Sequence, residues 1–220
     1  MSEVIYAATT NPGKLRDFAV AAAESGFSVE PLPGLSEIPA PEENEPTFAG
    51  NARLKAEYYS RFSPEIVLAD DSGLEVDALG GEPGVRSARF AEDAGYNPPQ
   101  AHTTDERNNL LLLDRMPGKT PRTARYHCVL VAARAGVVLA TGEGAVEGKI
   151  LESPLGTGGF GYDPLFWLEE LQRSMAQISL EEKHALSHRG RAFRDLLPRL
   201  QRALAERRSR GEEPNSPCPG

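Results

Sequence analysis

The sequence predicts an α/β fold, and three observations support this. Residues 3–32 have the pattern strand, loop, helix, strand, which is the usual opening of an α/β chain. Residues 65–70 form an apolar run that ends in acidic residues, as expected of a core strand that reaches a site. Residues 123–134 and 137–148 have the composition of two long strands, joined around Gly136 as a hairpin.

The first half of the chain alternates strands with helices. The predicted elements are strands at 3–8, 27–32 and 65–70, helices at 14–25 and 46–62, and a loop at 33–45. Leu15, Phe18 and Ala22 share one face of the first helix, and Gly26 is a plausible stop. Pro46 suits the start of the second helix, since a missing N–H costs little there.

The second half combines loops, the hairpin and a closing helix. The predicted elements are an extended segment at 74–79, a long loop with short elements at 80–102, a helix at 104–115, the two hairpin strands, a glycine-rich loop at 153–164 and a helix at 187–208. Ser187 is a candidate cap for the last helix. We predict one domain over residues 1–205, with the hairpin as a possible second lobe, and a disordered tail at 206–220.

Composition and charge exclude several classes of protein. The formal net charge of −8 disfavours a nucleic-acid binder, which needs a basic surface. Cys128 lies in an apolar run and Cys218 in a proline-rich tail, so we expect no disulfide framework, no zinc site and a reducing, cytoplasmic compartment. We also expect no signal peptide and no membrane span.

A loop between the first strand and the first helix is a candidate phosphate cradle. It comprises Thr9, Thr10, Asn11, Pro12, Gly13 and Lys14. Backbone N–H groups at a helix start, together with a lysine, are typical of anion sites. The Walker A pattern is absent, and a simple strand-to-helix turn explains the spacing equally well.

Asp70 and Asp71 lie at the end of the apolar strand and are followed by Ser72. Because strand neighbours point to opposite faces, only one of the two aspartates should face a given cleft, and the alternation does not say which. Mg²⁺ prefers oxygen ligands and usually takes one or two protein carboxylates, of which another could come from Glu42 or Glu43. A solvated acidic turn is the alternative.

The glycine-rich loop contains a formal GxGxxG pattern at Gly156, Gly158 and Gly161. A dinucleotide-binding motif is excluded because Pro164 follows where a long helix should begin, and no kinase motif follows either. Its aromatic and acidic residues could stack on a base and read its edge, although a plain glycine-rich turn is possible. These candidates are Phe160, Gly161, Tyr162 and Asp163.

Lys183, His188 and Arg189 place cationic or donor groups near the start of the last helix. Such groups suit an anion or the carbonyl groups of a base. Taken alone, this segment is more typical of a helix cap with surface charges than of a binding site.

Taken together, these segments resemble the inosine/xanthosine triphosphate pyrophosphatase family. The matching blocks are ATTNPGK at 8–14, TFAGNARLKA at 47–56, ADDSGLEVDALGGEPGVRSARF at 69–90, ARYHCVLV at 124–131, GTGGFGYDPLF at 156–166 and SLEEKHALSHRGRA at 179–192. The resemblance covers about residues 4–205. It implies an elongated mixed sheet with flanking helices, two lobes around a central nucleotide cleft, and a homodimer.

The resemblance implies Mg²⁺-dependent hydrolysis of XTP, ITP or dITP to the monophosphate and pyrophosphate. It makes Asp71 the catalytic proton acceptor, close to the metal, and Glu43 a second metal ligand. The family often has a glycine shortly after its key glutamate; here that glycine is absent, which leaves Glu42 as an alternative.

The remaining roles also follow from the resemblance. Residues 9–14 would hold the phosphates, with Asn51 and Lys55 as further candidates, and Ser72 would contact the substrate. Residues 160–163 would frame the base, and Lys183, His188 and Arg189 would read it. Donors facing a 6-oxo group would be left unpaired by adenine, which is a costly mismatch.

The sequence is also compatible with two other functions. One is a nucleotide pyrophosphatase with a different base preference, including pyrimidine nucleotides. The other is a non-catalytic nucleotide-binding module, against which the clustered carboxylates argue, because a pure polyanion binder has little use for them.

Overall fold

The structure is a computed structural model of the 220-residue chain, and it describes residues 3–23 and 25–210. The strands are β1 (Glu3–Ala7), β2 (Phe27–Pro31), β3 (Ile66–Val76), β4 (Thr123–Arg134), β5 (Val137–Ile150), β6 (Phe166–Leu168) and β7 (Arg173–Ser174). The α-helices are α1 (Pro12–Ala22), α2 (Phe48–Tyr59), α3 (Phe90–Asp93), α4 (Thr104–Arg115), α5 (Leu180–Leu186) and α6 (His188–Ser209). Short 3-10 turns occupy Leu35–Glu37, Ser60–Phe62, Asp77–Leu79 and Gly84–Arg89.

All the strands belong to one sheet, in the order β2-β1-β3-β4-β5-β6-β7. β1 pairs in parallel with β2 and β3, whereas β6 pairs antiparallel with β5 and β7. The predicted hairpin is confirmed: β4 and β5 are neighbours, joined by Ala135 and Gly136, which both have positive φ, as tight hairpin turns require. The predicted α/β class with a mixed sheet is therefore confirmed.

The chain divides into two compact units. The first contains the residues up to Asp71, the segment Cys128–Gly144 and the residues from Ser187 onward. The second contains Ser72–His127 and Ala145–Leu186. β3, β4 and β5 thus contribute residues to both units. The elongated outline and the nucleotide cleft between two lobes stay predictions.

The first unit is layered around β3, whose side chains alternate between two apolar clusters. Ile66 and Leu68 belong to a cluster that includes Phe18 of α1 and Phe193 of α6. The rings of Phe18 and Phe193 stack with their centroids 6.3 Å apart. Val67 instead belongs to a cluster with Tyr59 of α2. Successive residues of β3 therefore face different helices, which decides the partners of the two aspartates at its end.

The second unit has a core of its own. Its buried apolar side chains come from β3 beyond the aspartates, from α4, from β4 and β5 and from the segment after the glycine-rich loop. Leu74, Leu112, Leu165 and Phe166 are fully buried members of this cluster. This core holds the glycine-rich loop against α4.

Several predicted boundaries change in the structure. α1 begins at Pro12 rather than residue 14, and α2 begins at Phe48 because Thr47 caps it with a hydrogen bond from Gly50 N–H at 3.1 Å. The predicted end of the third strand at Asp70 was wrong. β3 continues to Val76, because Leu74 and Val76 are fully buried and the strand carries them into the second core. α5 and the short strands β6 and β7 had no sequence prediction, being too short for a periodic signal.

α6 begins as predicted and extends further. Ser187 caps it, accepting a hydrogen bond from Gly190 N–H at 3.3 Å. Gly144 of β5 lies against the same helix start, where an added Cβ would come within 2.3 Å of the His188 carbonyl oxygen. The helix continues to Ser209, so the predicted tail boundary at residue 206 falls inside it; residues 211–220, with Cys218, lie outside the described residues.

The expectation that no segment crosses a membrane was tested on the helices. Among the residues that the structure describes, none of the helices combines the length and apolar character needed to span a bilayer. Cys128 is fully buried, as predicted.

Candidate active site

Asp70 is held by cations from α1 and α6. It is 5% exposed, and Lys14 Nζ lies 2.8 Å from its Oδ2 and 3.0 Å from its Oδ1. The Arg189 guanidinium lies 3.9 Å from Asp70 and 3.5 Å from Asp17 of α1. Burial disfavours the charge on Asp70, but Lys14 and Arg189 outweigh it and hold its pKa below the ordinary value. The lowered pKa favours the ionised form of Asp70, which ties α1 and α6 to the sheet.

Asp71 faces α2 instead. Lys55 Nζ donates to Asp71 Oδ1 at 2.9 Å, and Asn51 Nδ2 donates to Oδ2 at 3.3 Å. The same ammonium donates to Glu43 Oε2 at 2.8 Å. Two carboxylates thus converge on one cation, and the structure brings Glu43, the preferred of the two glutamates, to the predicted catalytic residue.

The pKa of Asp71 moves in the opposite direction from that of Asp70. Burial raises the pKa of Asp71, and the negative charge of Glu43 adds to this rise, while Lys55 and Asn51 oppose it. Burial lowers the pKa of Lys55, but the charges of Asp71, Asp70 and Glu43 more than compensate, so its pKa is raised and it stays charged. Of the two aspartates, Asp71 is therefore the one whose pKa is shifted toward easier uptake of a proton.

The loop that precedes α1 is half-buried to exposed. Asn11 caps the helix, its Oδ1 accepting from Gly13 N–H at 2.8 Å and Lys14 N–H at 3.2 Å, while Asn11 N–H donates to Thr9 Oγ1 at 3.2 Å. Pro12 occupies the first helical position. Because Lys14 pairs with Asp70, its predicted contact with phosphate stays a prediction.

In the second unit, Asp163 organises the glycine-rich loop. It is 3% exposed, and its carboxylate accepts from Phe160 N–H at 2.9 Å, from Tyr126 Oη at 3.1 Å and from Lys183 Nζ. Lys183 Nζ also lies 4.4 Å from the centroid of the Phe160 ring, which is 48% exposed. Phe160 and Lys183 are thus brought together in a cation–π contact.

The structure buries the side chain of Tyr162, whose part in framing a base stays a prediction. Tyr162 is 4% exposed, and its hydroxyl donates to the Ser87 carbonyl oxygen at 2.8 Å. The neighbouring Gly161 is held through its backbone by Asp105, which accepts from its N–H at 2.7 Å, and by Asn109, which donates to its carbonyl at 2.9 Å.

Three further residues of the predicted site lie in β3 and α6. Ser72 is half-buried in β3, directly after Asp71. His188 is 7% exposed at the start of α6. Arg189 is equally buried, and its guanidinium lies near the carboxylates of Asp17 and Asp70. These contacts were not part of the prediction that Arg189 binds the base.

Sequence reasoning missed the buried partners of this site. Asp17 and Arg189 are 172 positions apart, and no periodic pattern links them. Asn51 was expected to reach phosphates, yet it is 2% exposed and bonded to Asp71. Its spacing from Lys55 does carry a signal, because i and i+4 place both on one face of α2.

The chain matches the model of the Ham1 family over residues 5–199. A protein of Acidobacterium capsulatum named dITP/XTP pyrophosphatase is 63% identical over 201 residues, which cover 91% of this chain and 99% of that protein.

Solved structures agree with this match. The Ham1 protein of Staphylococcus aureus has a TM-score of 0.73 and 36% identity, covering 96% of this chain and 100% of its own. A HAM1 protein from Coxiella burnetii has a TM-score of 0.75 and 32% identity, covering 93% of this chain and 99% of its own. From the site residues, the family match and these likenesses, the chain belongs to the Ham1 family.

Proposed function

We propose that this chain hydrolyses non-standard purine nucleoside triphosphates, namely XTP, ITP and dITP, to the monophosphate and pyrophosphate. The observation that carries the proposal is the setting of Asp71, a half-buried carboxylate with a raised pKa beside Lys55 and Glu43. The name of the relative from Acidobacterium capsulatum, dITP/XTP pyrophosphatase, supports dITP and XTP among these substrates.

Asp71 is the proton acceptor for the attacking water. A carboxylate with a raised pKa is a stronger base than an ordinary aspartate, and it remains ionised as long as the pH exceeds its pKa. Asp71 orients the water for attack on the α-phosphate and takes its proton, and pyrophosphate leaves. Asp70 cannot replace it, because its two cations hold its proton affinity low.

Glu43 and Asp71 would hold Mg²⁺. The fit rests on their convergence, since their oxygens lie 2.8 and 2.9 Å from one ammonium, the Lys55 Nζ, which stands in for a cation. Among the side chains that the structure describes, no cluster of three or more His, Cys, Asp or Glu residues suits a metal. A pair of carboxylates is what Mg²⁺ commonly takes when substrate phosphates supply further oxygens. Bound there, the ion would neutralise phosphate charge.

Lys55 has a second role once a cation satisfies the two carboxylates. Its ammonium could then turn toward the phosphate chain and neutralise part of the phosphate charge. Residues 9–14 and the N-terminus of α1 would hold the same chain, since helix N-termini favour anions. Ser72, next to Asp71, would contact the substrate.

The base would be recognised by Phe160 and Lys183 in the second unit, with Gly161 and Asp163 shaping the loop. Phe160 offers its exposed ring, and Lys183 offers a donor to an oxo group. We retain His188 and Arg189 as candidates for the 6-oxo oxygen. Tyr162 would anchor the loop through its buried side chain and frame the base from there.

A panel of nucleotides tests the proposal. Pyrophosphate release is measured with dITP, XTP, dGTP, dATP and dUTP in the presence of Mg²⁺. We expect the highest kcat/KM for dITP and XTP. A preference for dUTP would contradict the proposed base recognition, and tight ITP binding without pyrophosphate release at any metal concentration would indicate a binding module instead.

We also propose that the protein acts as a cytoplasmic homodimer, as the family resemblance implies. Light scattering on the purified chain should give a mass near twice 23.8 kDa. A mass of one chain at every concentration would contradict the dimer.

A further inference from the structure

Asn51 is buried between the loop that carries Glu43 and the carboxylate of Asp71. It is 2% exposed, although asparagine is a poorer helix former than alanine and α2 would be favoured by alanine at this position. Burying an amide costs free energy unless the amide is hydrogen-bonded, so the hydrogen bonds of Asn51 must compensate for its burial.

The orientation of the Asn51 amide is fixed by the backbone of Glu45. Glu45 N–H donates to Asn51 Oδ1 at 3.1 Å, and only an oxygen can accept there. The Asn51 NH₂ group is thereby directed to two acceptors, the Glu45 carbonyl at 3.3 Å and Asp71 Oδ2 at 3.3 Å. One side chain thus clamps the backbone two residues from Glu43 and points a donor at Asp71.

The neighbouring Gly50 allows the loop to approach this closely. A Cβ at position 50 would lie 2.7 Å from Glu45 Cβ and 3.0 Å from its Cγ. The clash is with the root of the Glu45 side chain, so the loop itself would have to move. Gly50 and Asn51 together set the distance between the Glu43 loop and α2.

We propose that Asn51 is a positioning residue that holds Asp71 and the Glu43 loop so that both carboxylates converge on one cation. It touches neither substrate nor metal and acts through the groups that do. This inference rests on the proposed function for its catalytic part. Partners that orient metal ligands typically affect metal affinity or activity by about 10–100-fold.

The closing experiment compares variants of α2. Asn51→Ala removes the clamp, and Asn51→Asp keeps the acceptor for Glu45 N–H but replaces the donor with a charge that repels Asp71. Gly50→Ala leaves Asn51 intact, favours the helix and displaces the loop, so it reports on positioning if the Asn51 variants fail to fold. Arg53→Ala is the matched control, because Arg53 is 68% exposed and pairs only with Glu57 in the described contacts.

Two readouts are used. The first is Mn²⁺ binding to the full chain without nucleotide, followed by electron paramagnetic resonance. We expect Asn51→Ala to weaken it about tenfold, Gly50→Ala to weaken it in the same direction, and Arg53→Ala to leave it unchanged. The second is steady-state hydrolysis of dITP, in which Asn51→Ala should lower kcat about 10–100-fold and change KM less than about threefold.

The outcomes separate the two proposals. If folded Asn51→Ala, or folded Gly50→Ala, keeps wild-type Mn²⁺ affinity and kcat while only its melting temperature falls, Asn51 is merely structural and the inference is overturned. It is also overturned if the unmodified chain binds no Mn²⁺, since the inference requires a preformed pair. If the unmodified chain binds Mn²⁺ but hydrolyses none of the triphosphates, the proposed function fails while the metal titration still decides the role of Asn51.

Discussion

The two faces of β3 give adjacent aspartates opposite properties. Asp70 lies toward α1 and α6, where two cations hold its pKa low. Asp71 lies toward α2, where one lysine is shared between two carboxylates and burial raises its pKa. The difference arises from pleat alternation, since it is the helix on each face that supplies the cations. One position along a strand is therefore enough to shift the pKa values of two aspartates in opposite directions.

Substitution of Asp71 is expected to have the largest effect on activity. Asp71→Asn should lower kcat for dITP by about 10²–10⁴-fold, the usual effect of removing a general base. Its stability near pH 7 should be unchanged or higher, because the folded state no longer buries a charge that burial disfavours. Turnover near that of the unmodified chain, with the fold intact, would rule out the assigned role.

Asp70→Asn should instead act on stability. It leaves Lys14 and Arg189 without their shared anion in a site where Asp70 is 5% exposed. Removing one partner of a buried pair typically costs about 3–5 kcal/mol in the free energy of unfolding. Denaturant unfolding measures this, with Arg53→Ala as control, and a loss below about 1 kcal/mol would show that the pairing is weak.

Lys55→Met sharpens the comparison by removing the cation on the Asp71 face. We expect kcat to fall at least about tenfold, since charge-assisted hydrogen bonds contribute about 1.5–3 kcal/mol. Because Lys55 lowers the pKa of Asp71, its loss should raise that pKa further, and the acid limb of the kcat/KM profile should move to higher pH. An acid limb that moves to lower pH would contradict the pairing.

The smallest expected effect is the pH dependence of stability, measured in EDTA. Asp70 has a lowered pKa in the folded state, so its contribution is present above the ordinary aspartate pKa and is lost as pH falls toward the folded value. Asp71 has a raised pKa, so stability falls as pH rises from the ordinary value through the folded value. The two Asn variants should thus show difference curves of opposite sign, and curves of the same sign would refute the contrast.

Most of the fold could be predicted from the sequence, but less of the candidate active site could. Periodicity located α4, the hairpin and α6, because long apolar patterns survive local ambiguity. It could not show that β3 continues past Asp71 and Ser72, since acidic and small residues look like a turn until their burial is known. Alternation predicted that only one of the two aspartates faces a given cleft, but only the resemblance selected Asp71.

Partnerships between distant residues were the part that sequence could not provide. Asp17 and Arg189 pair across the first unit, and the Asn51 clamp depends on the backbone of Glu45. The hydrogen bond from the Tyr162 hydroxyl to the Ser87 carbonyl oxygen was also unforeseen, because an aromatic in a glycine-rich segment gives no sign of which core it enters. Burial and backbone hydrogen bonds are three-dimensional properties, and spacing along the chain does not encode them.

The contrast between the two aspartates can be measured directly by ¹³C NMR titration of the side-chain carboxyl groups in the metal-free chain, with Asp70→Asn and Asp71→Asn used to assign the signals. We predict that Asp71 titrates above the ordinary aspartate pKa and Asp70 below it. The reverse order, or two pKa values that coincide, would contradict the assignment of Asp71 as the proton acceptor.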